Sequence, residues 1–136
     1  MLVEAVKQAG YEGKVCFGID PASQEFLRSD GGYDLDFKSK SPDHLVLSPA
    51  ELSQRYRDIL SKYPVILLED PFGQDDWDSW TKFMEKCSTE VVGDDLLATN
   101  TERVRMALEK RACNSMLLKI NQIGTISEAF ESYDPV

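Results

Sequence analysis

The chain has little of what several common functions require. Histidine occurs once, at His44, and no serine sits in a recognisable nucleophile motif, so a hydrolytic triad has no material. The three cysteines, Cys16, Cys87 and Cys113, contain no Cys-x-x-Cys pair and are odd in number, which argues against disulfide stapling and a structural zinc site. They read as reduced, small, mostly buried side chains. His44 reads as a solvated loop residue rather than a catalyst. Basic residues are outnumbered 24 to 15, for a net charge of −9, and form no cluster, so neither a nucleic-acid backbone nor an anionic membrane surface is an expected partner. The longest aliphatic run, Val65 to Leu68, is far below the ~20 residues of a membrane span, and no signal-peptide pattern opens the sequence. A soluble, intracellular protein is expected.

What the chain does have is a core. Of its 136 residues, 42% are hydrophobic, with six Phe, five Tyr and two Trp, which excludes a disordered tail. At about 150 residues per domain, the length suits one domain or a piece of a larger one. Short apolar runs alternate with amphipathic ones. Val15 to Ile19, Val65 to Leu68, Val91-Val92 and Met116 to Leu118 read as buried strands. Ser48-Pro49-Ala50-Glu51 is a capping box with proline in the first turn, leading into the face Leu52, Tyr56, Ile59, Leu60 and Tyr63. Asp75 or Asp76 caps a helix with the face Trp77, Trp80, Phe83, Met84 and Cys87. Thr99 to Glu102 opens another, carrying Val104, Ala107 and Leu108, and Thr125 to Glu128 is a further capping box. Leu2, Val6 and Ala9 share a face of a first helix stopped by Gly10. Residues 29–47 interrupt this rhythm as an irregular excursion, in which Tyr33 to Phe37 alternates like a small hairpin.

Repeated strand-then-helix units imply parallel strands joined by right-handed crossovers. A (β/α)₈ barrel takes about 250 residues, so the expected α/β fold is a partial TIM-type barrel of about four parallel strands; an open doubly wound sheet is the rival. A half barrel leaves two unpaired strand edges and exposed apolar surface, which invites self-association.

Each expected strand ends in an ionisable residue. Asp20, Glu69, Asp94 and Lys119 follow one another at intervals of 49, 25 and 25 residues, the first lengthened by the excursion. All four would emerge at the carboxyl-terminal face of neighbouring strands, where barrel enzymes build their sites. Three converging carboxylates repel unless a cation compensates. Hard oxygen donors with no His or Cys nearby suit Mg²⁺. A lysine beside such an ion has its ammonium form disfavoured, which moves it toward a useful general base. This set is suited to removing a proton from carbon next to a substrate carboxylate.

Three strings, Glu69-Asp70-Pro71-Phe72, Asp94-Asp95-Leu96 and Leu118-Lys119-Ile120-Asn121-Gln122-Ile123-Gly124-Thr125, resemble the enolase family, most closely its eukaryotic type. Ala9 to Val15, Tyr33 to Lys38 and Tyr63-Pro64 carry the likeness further, so that it runs from about Leu2 to about Glu128. The resemblance implies a Mg²⁺-dependent lyase that dehydrates 2-phosphoglycerate to phosphoenolpyruvate in glycolysis, in the cytoplasm, in a family of homodimers. It implies that Asp20, Glu69 and Asp94 ligate Mg²⁺, that Glu69, Asp94 and Lys119 border the substrate, and that Lys119 abstracts the C2 proton to give an enolate. Asp70, Asp95, Asn121 and Gln122 match family positions with supporting roles, while Asp75-Asp76 suits a helix start.

Departures from the family pattern set a second expectation. The family's amino-terminal domain, first barrel strands and last two strands, which supply the general acid, a second lysine and the phosphate-binding arginine and histidine, have no counterpart in residues 1–136. The tail from Phe130 to Val136 diverges, and Pro135 would stop a helix. The sequence therefore reads as a piece of the catalytic barrel, inactive alone. A non-catalytic enolase-like fragment with a structural or binding role is the alternative, and another enolase-superfamily lyase or racemase the weaker third.

Overall fold

A computed structural model describes residues 1–134. Six helices and six strands follow in the order α1 (Leu2–Gln8), β1 (Phe17–Ile19), β2 (Tyr33–Asp34), β3 (Val46–Leu47), α2 (Pro49–Lys62), β4 (Val65–Glu69), α3 (Trp77–Met84), β5 (Glu90–Gly93), α4 (Thr101–Lys110), β6 (Ser115–Met116), α5 (Ile120–Ile123) and α6 (Ile126–Tyr133). A 3-10 turn at Ser23–Phe26 follows β1. The main sheet is wholly parallel in the order β1-β4-β5-β6. Its strands succeed one another in chain order, without the reversal that defines a doubly wound sheet. This is the progression of a (β/α) barrel, and the four-stranded sheet with its helices is a partial one.

Local chemistry sets the helix starts. Ser48 and Glu51 form the full capping box ahead of Pro49, with both reciprocal bonds in place. Asp76, not Asp75, caps α3 by accepting from the Ser79 amide. Asn100 caps α4, its Oδ1 accepting from both Glu102 and Arg103. Thr125 caps α6 through the Glu128 amide.

Several elements differ from the sequence expectation. β1 starts only at Phe17, leaving Val15 and Cys16 outside it, and Cys16 is exposed rather than buried. β6 ends at Met116, although the Leu117 amide still reaches the Gly93 carbonyl at 3.2 Å. α1 has an apolar face but buries none of its residues, and Leu108 on α4 is exposed. Pro135 lies outside the described residues.

The core cluster draws its side chains mainly from α2, α3, α4, β4 and β5. Phe72 is its hub: fully enclosed, it meets Tyr33, Tyr56, Trp80 and Phe83 nearly edge-on, at centroid distances of 6.1, 6.0, 6.4 and 5.7 Å. Edge-to-face contact is the geometry that the ring quadrupole favours.

The excursion is anchored rather than loose. β2 and β3 pair antiparallel, Tyr33 with Leu47 and Asp34 with Val46. The buried Tyr33 hydroxyl donates to Asp76 at 2.8 Å and accepts from the Gly73 amide at 2.9 Å, tying the hairpin to the turn that precedes α3. His44 is not simply solvated: its Nδ1 lies 2.6 Å from Asp34 Oδ2 across the hairpin. That contact raises the imidazolium pKa above its ordinary 6.5 and holds the Asp34 carboxyl below its ordinary 3.8. The raised histidine contributes stability that is complete below pH 6.5 and lost as pH rises through the folded value; the lowered aspartate contributes stability lost only in acid. The melting temperature of the wild type should therefore exceed that of His44→Gln most just below pH 6.5, and the gap should narrow as pH rises above that value. A constant gap across that range would show that the charged pair contributes nothing.

Candidate active site

The carboxyl-terminal ends of β1, β4, β5 and β6 lie side by side because the strands are parallel and consecutive. Asp20 follows β1 directly and its Oδ1 accepts from the Ala22 amide at 2.9 Å, which fixes the turn. Glu69 is the last residue of β4. Asp94 follows Gly93, where a Cβ would come within 2.9 Å of Leu97 Cγ; glycine there lets Leu97 close the turn beneath Asp94. Lys119 lies three residues past β6, at the start of α5.

Carboxylate oxygens of Glu69, Asp70 and Asp94 lie within 4.8 Å of one another. Asp20 stands outside that tight group but is close enough to act on Glu69 through its charge. Burial first, and then the charges of Asp20 and Asp94, push the Glu69 pKa up. Asp95 is likewise raised, by burial and by Asp94. Each shift records a carboxylate held where it is partly desolvated and facing like charge.

Asp70 serves the backbone. Its two oxygens accept from the amides of Asp94 at 3.1 Å and Asp95 at 2.9 Å, so one carboxylate fixes the loop that carries the next. Its φ of +41 is left-handed, and burial lifts its pKa to about 6 in spite of the two amides. Arg103 on α4 braces the same rim: it donates to the Leu96 and Gln74 carbonyls, pairs with Asp75 at 3.1 Å and stacks over Trp77.

Lys119 Nζ donates to Asp94 Oδ2. The Gln122 amide donates to the other oxygen, Oδ1, at 2.6 Å. The hydrogen bond to Asp94, assisted by Glu69 and Asp95, raises the Lys119 pKa. This is opposite to the shift that a divalent cation among the carboxylates would impose, and it makes the ammonium a counter-charge to them.

Sequence reading missed the part played by Thr99, which reads there only as part of a helix start. Thr99 is completely buried; its hydroxyl donates to Gln122 Oε1 at 2.9 Å and accepts from the Lys119 amide at 2.8 Å. It follows Ala98 in a pair of non-glycine residues with φ of +47 and +51. Such conformations cost roughly 1–3 kcal/mol each and persist where surrounding contacts over-determine them. A polar β-branched residue one position before a helix cap was the available signal.

Three acidic side chains at adjacent strand ends, a lysine on the same rim and oxygen-only donors can hold a hard divalent cation and present an amine to whatever binds beside it. No helix among the described residues is long and apolar enough to cross a membrane. A family model described as the C-terminal TIM barrel domain of enolase matches residues 1–135, over the span that supplies all four strand ends. The chain belongs to the enolase C-terminal TIM barrel family.

Proposed function

We propose that Asp20, Glu69 and Asp94 form a Mg²⁺ site of an enolase-type lyase acting on 2-phosphoglycerate, with Lys119 as the residue that takes the C2 proton. The single observation that carries this reading is Lys119 Nζ bonded to Asp94 on the rim shared by Glu69. The donor set fits the ion: only hard carboxylate oxygens converge, and the raised pKa of Glu69, from burial and the charges of Asp20 and Asp94, marks charge awaiting compensation. Asp70 adjoins Glu69 and Asp94, but its oxygens hold the backbone amides that fix the Asp94–Asp95 loop, whereas those of Asp94 meet only the side-chain tips of Lys119 and Gln122; we take Asp20, which bonds one amide, as the third ligand. When bound, Mg²⁺ would neutralise the carboxylates and stabilise negative charge on the oxygens of a substrate carboxylate.

The chain's own residues do the rest. Glu69 and Asp94 border the substrate position and set its distance from Lys119. Lys119, held by Asp94, faces the same opening; once neutral, its amine accepts the proton as the C2–H bond breaks, and the electron pair left behind forms the C2=C3 double bond as the C3–O bond breaks and hydroxide leaves with its own pair. We read the setting as cytoplasmic and glycolytic, with phosphoenolpyruvate as product, no nucleic-acid or membrane partner, and homodimerisation as in the family.

Lys119 is 40% exposed on this four-stranded rim, whereas a closed barrel of eight strands shields its mouth from water. We therefore expect this chain alone to bind Mg²⁺ without appreciable turnover. The alternative, a non-catalytic piece with a binding or structural role, is favoured by one further observation: Leu118, Ile120, Ile126, Phe130 and Tyr133 form an exposed apolar groove beside β6. Calorimetric titration with Mg²⁺ tests the site. The wild type should bind one ion, and Glu69→Ala should lose affinity by tenfold or more; equal binding by both would refute the ligand assignment. Turnover of 2-phosphoglycerate by the chain at an enolase-like rate would overturn its inactivity.

A further inference from the structure

Between Asp94 and Lys119 runs a second connection besides their direct ion pair. It passes from Asp94 Oδ1 to the Gln122 side-chain amide at 2.6 Å, from Gln122 Oε1 to the Thr99 hydroxyl at 2.9 Å, and from that hydroxyl to the Lys119 backbone amide at 2.8 Å. Every bond in it has a defined direction. Gln122 can only donate through Nε2 to a carboxylate; its Oε1 must then accept, so Thr99 donates its one proton there and uses a lone pair for the Lys119 N–H. The chain of bonds therefore fixes the Gln122 amide orientation and the Thr99 rotamer together.

The placement of these groups makes the connection selective. Thr99 is wholly buried and follows the Asp94–Asp95 loop, so its position is tied to β5. Lys119 and Gln122 sit on the segment after β6 and have few other anchors: α5 is four residues long, ends at Gly124 in a left-handed conformation and buries no side chain. Without the Thr99 hydroxyl, the segment carrying the lysine would keep only the Leu117 amide's bond to the Gly93 carbonyl, two residues before Lys119, and flexible side-chain tips as its ties to the β5 side. The bond from Gln122 also occupies one Asp94 oxygen from the side, which restricts rotation of the carboxylate.

We propose that Thr99 is a positioning residue which, through Gln122, locks the Asp94 carboxylate and the Lys119 backbone into one unit, so that cation ligand and proton acceptor keep a fixed relative placement. This rests on the reading of Asp94 as a Mg²⁺ ligand. It is a claim about preorganisation: residues that touch neither ion nor substrate set the geometry of those that do.

The test uses the full chain and two readouts. By NMR hydrogen exchange, the Lys119 amide should exchange at least about tenfold faster in Thr99→Val than in the wild type, and Thr99→Ser, which keeps the hydroxyl, should restore protection. By calorimetry with Mg²⁺ alone, Thr99→Val and Gln122→Met should each weaken binding by about tenfold, Thr99→Ser should bind like the wild type, and the double variant should bind about as weakly as either single one. Gln122 lies on the exposed side of α5, so Gln122→Met decides the matter if Thr99→Val fails to fold. Wild-type binding with unchanged affinity in Gln122→Met would overturn the positioning role alone. Losses that multiply in the double variant would also overturn it, because the two residues would then act separately. No Mg²⁺ binding by the wild type would refute the metal reading itself, and this inference with it.

Discussion

Phe72→Ala should destabilise the protein by about 3–5 kcal/mol, among the largest effects expected of a single truncation in this fold. Phe72 is fully enclosed and meets four aromatic rings contributed by β2, α2 and α3, so its removal leaves a cavity that no single neighbour can fill. Two terms add: the transfer free energy of the deleted ring, and the dispersion attraction that the atoms lining the void forfeit. Against a total stability of about 5–15 kcal/mol, this is enough to place many molecules near unfolding. Urea titration checks it: the midpoint should fall sharply with little change in slope. A destabilisation under about 1 kcal/mol would mean that the rings collapse into the space, and that the core is not a rigid aromatic cluster. Because Phe72 lies three residues beyond Glu69, the same variant should also disturb the end of β4.

The second large effect concerns the carboxylate rim, and its direction depends on the ion. Glu69 has a raised pKa, so near neutrality its charge opposes folding in the metal-free protein. Glu69→Gln should then melt at a higher temperature than the wild type in chelator-treated buffer. With Mg²⁺ at a hundred times its dissociation constant, the wild type should gain about 2.7 kcal/mol from binding, and the variant should gain little. The order of the two melting temperatures should therefore reverse on adding Mg²⁺. A site that binds no ion would show the metal-free gain but no reversal. Thermal denaturation at fixed pH, with and without Mg²⁺, distinguishes the outcomes.

Much of this arrangement was legible in the sequence because it is written in local chemistry. Capping boxes and apolar spacing located α2, α3, α4 and α6, and unbroken apolar runs located the strands, although not all of each run is buried: Ile66 within β4 and Leu118 past β6 are exposed. Consecutive strand-helix units implied the barrel progression that the sheet order shows. What escaped was set by tertiary contact. The pairing of His44 with Asp34 joins residues whose relation depends on how the hairpin closes, and a lone histidine offers no periodic signal. β6 is shorter than its apolar run because, past Met116, the Leu117 amide makes the last bond to β5 before the chain turns toward Lys119. Cys16 is exposed because it lies before β1, outside the sheet whose burial it was expected to share.

The site shows the same division. Spacing brought out Asp20, Glu69, Asp94 and Lys119, because regular strand-helix units carry every strand end to one face. The roles of Asp70 and Thr99 depend on backbone amides of other segments and on left-handed φ values at Asp70 and Thr99. Neither residue type announces such a conformation in sequence, since the left-handed region ordinarily favours glycine or asparagine. A supporting role for Asp70 was implied by the family resemblance, but the amides it holds, and the part of Thr99, become visible only once the segments they join are in place.

The central claim, that Asp20, Glu69 and Asp94 share one divalent ion beside Lys119, is tested most directly by Mn²⁺ as a paramagnetic substitute for Mg²⁺ in NMR. Substoichiometric Mn²⁺ should broaden the signals of Asp20, Glu69, Asp94 and Lys119 together, excess Mg²⁺ should restore them, and Glu69→Ala should remove the effect. Broadening centred instead on another acidic stretch, such as Asp75 to Asp78, or spread evenly over the surface, would contradict the claim.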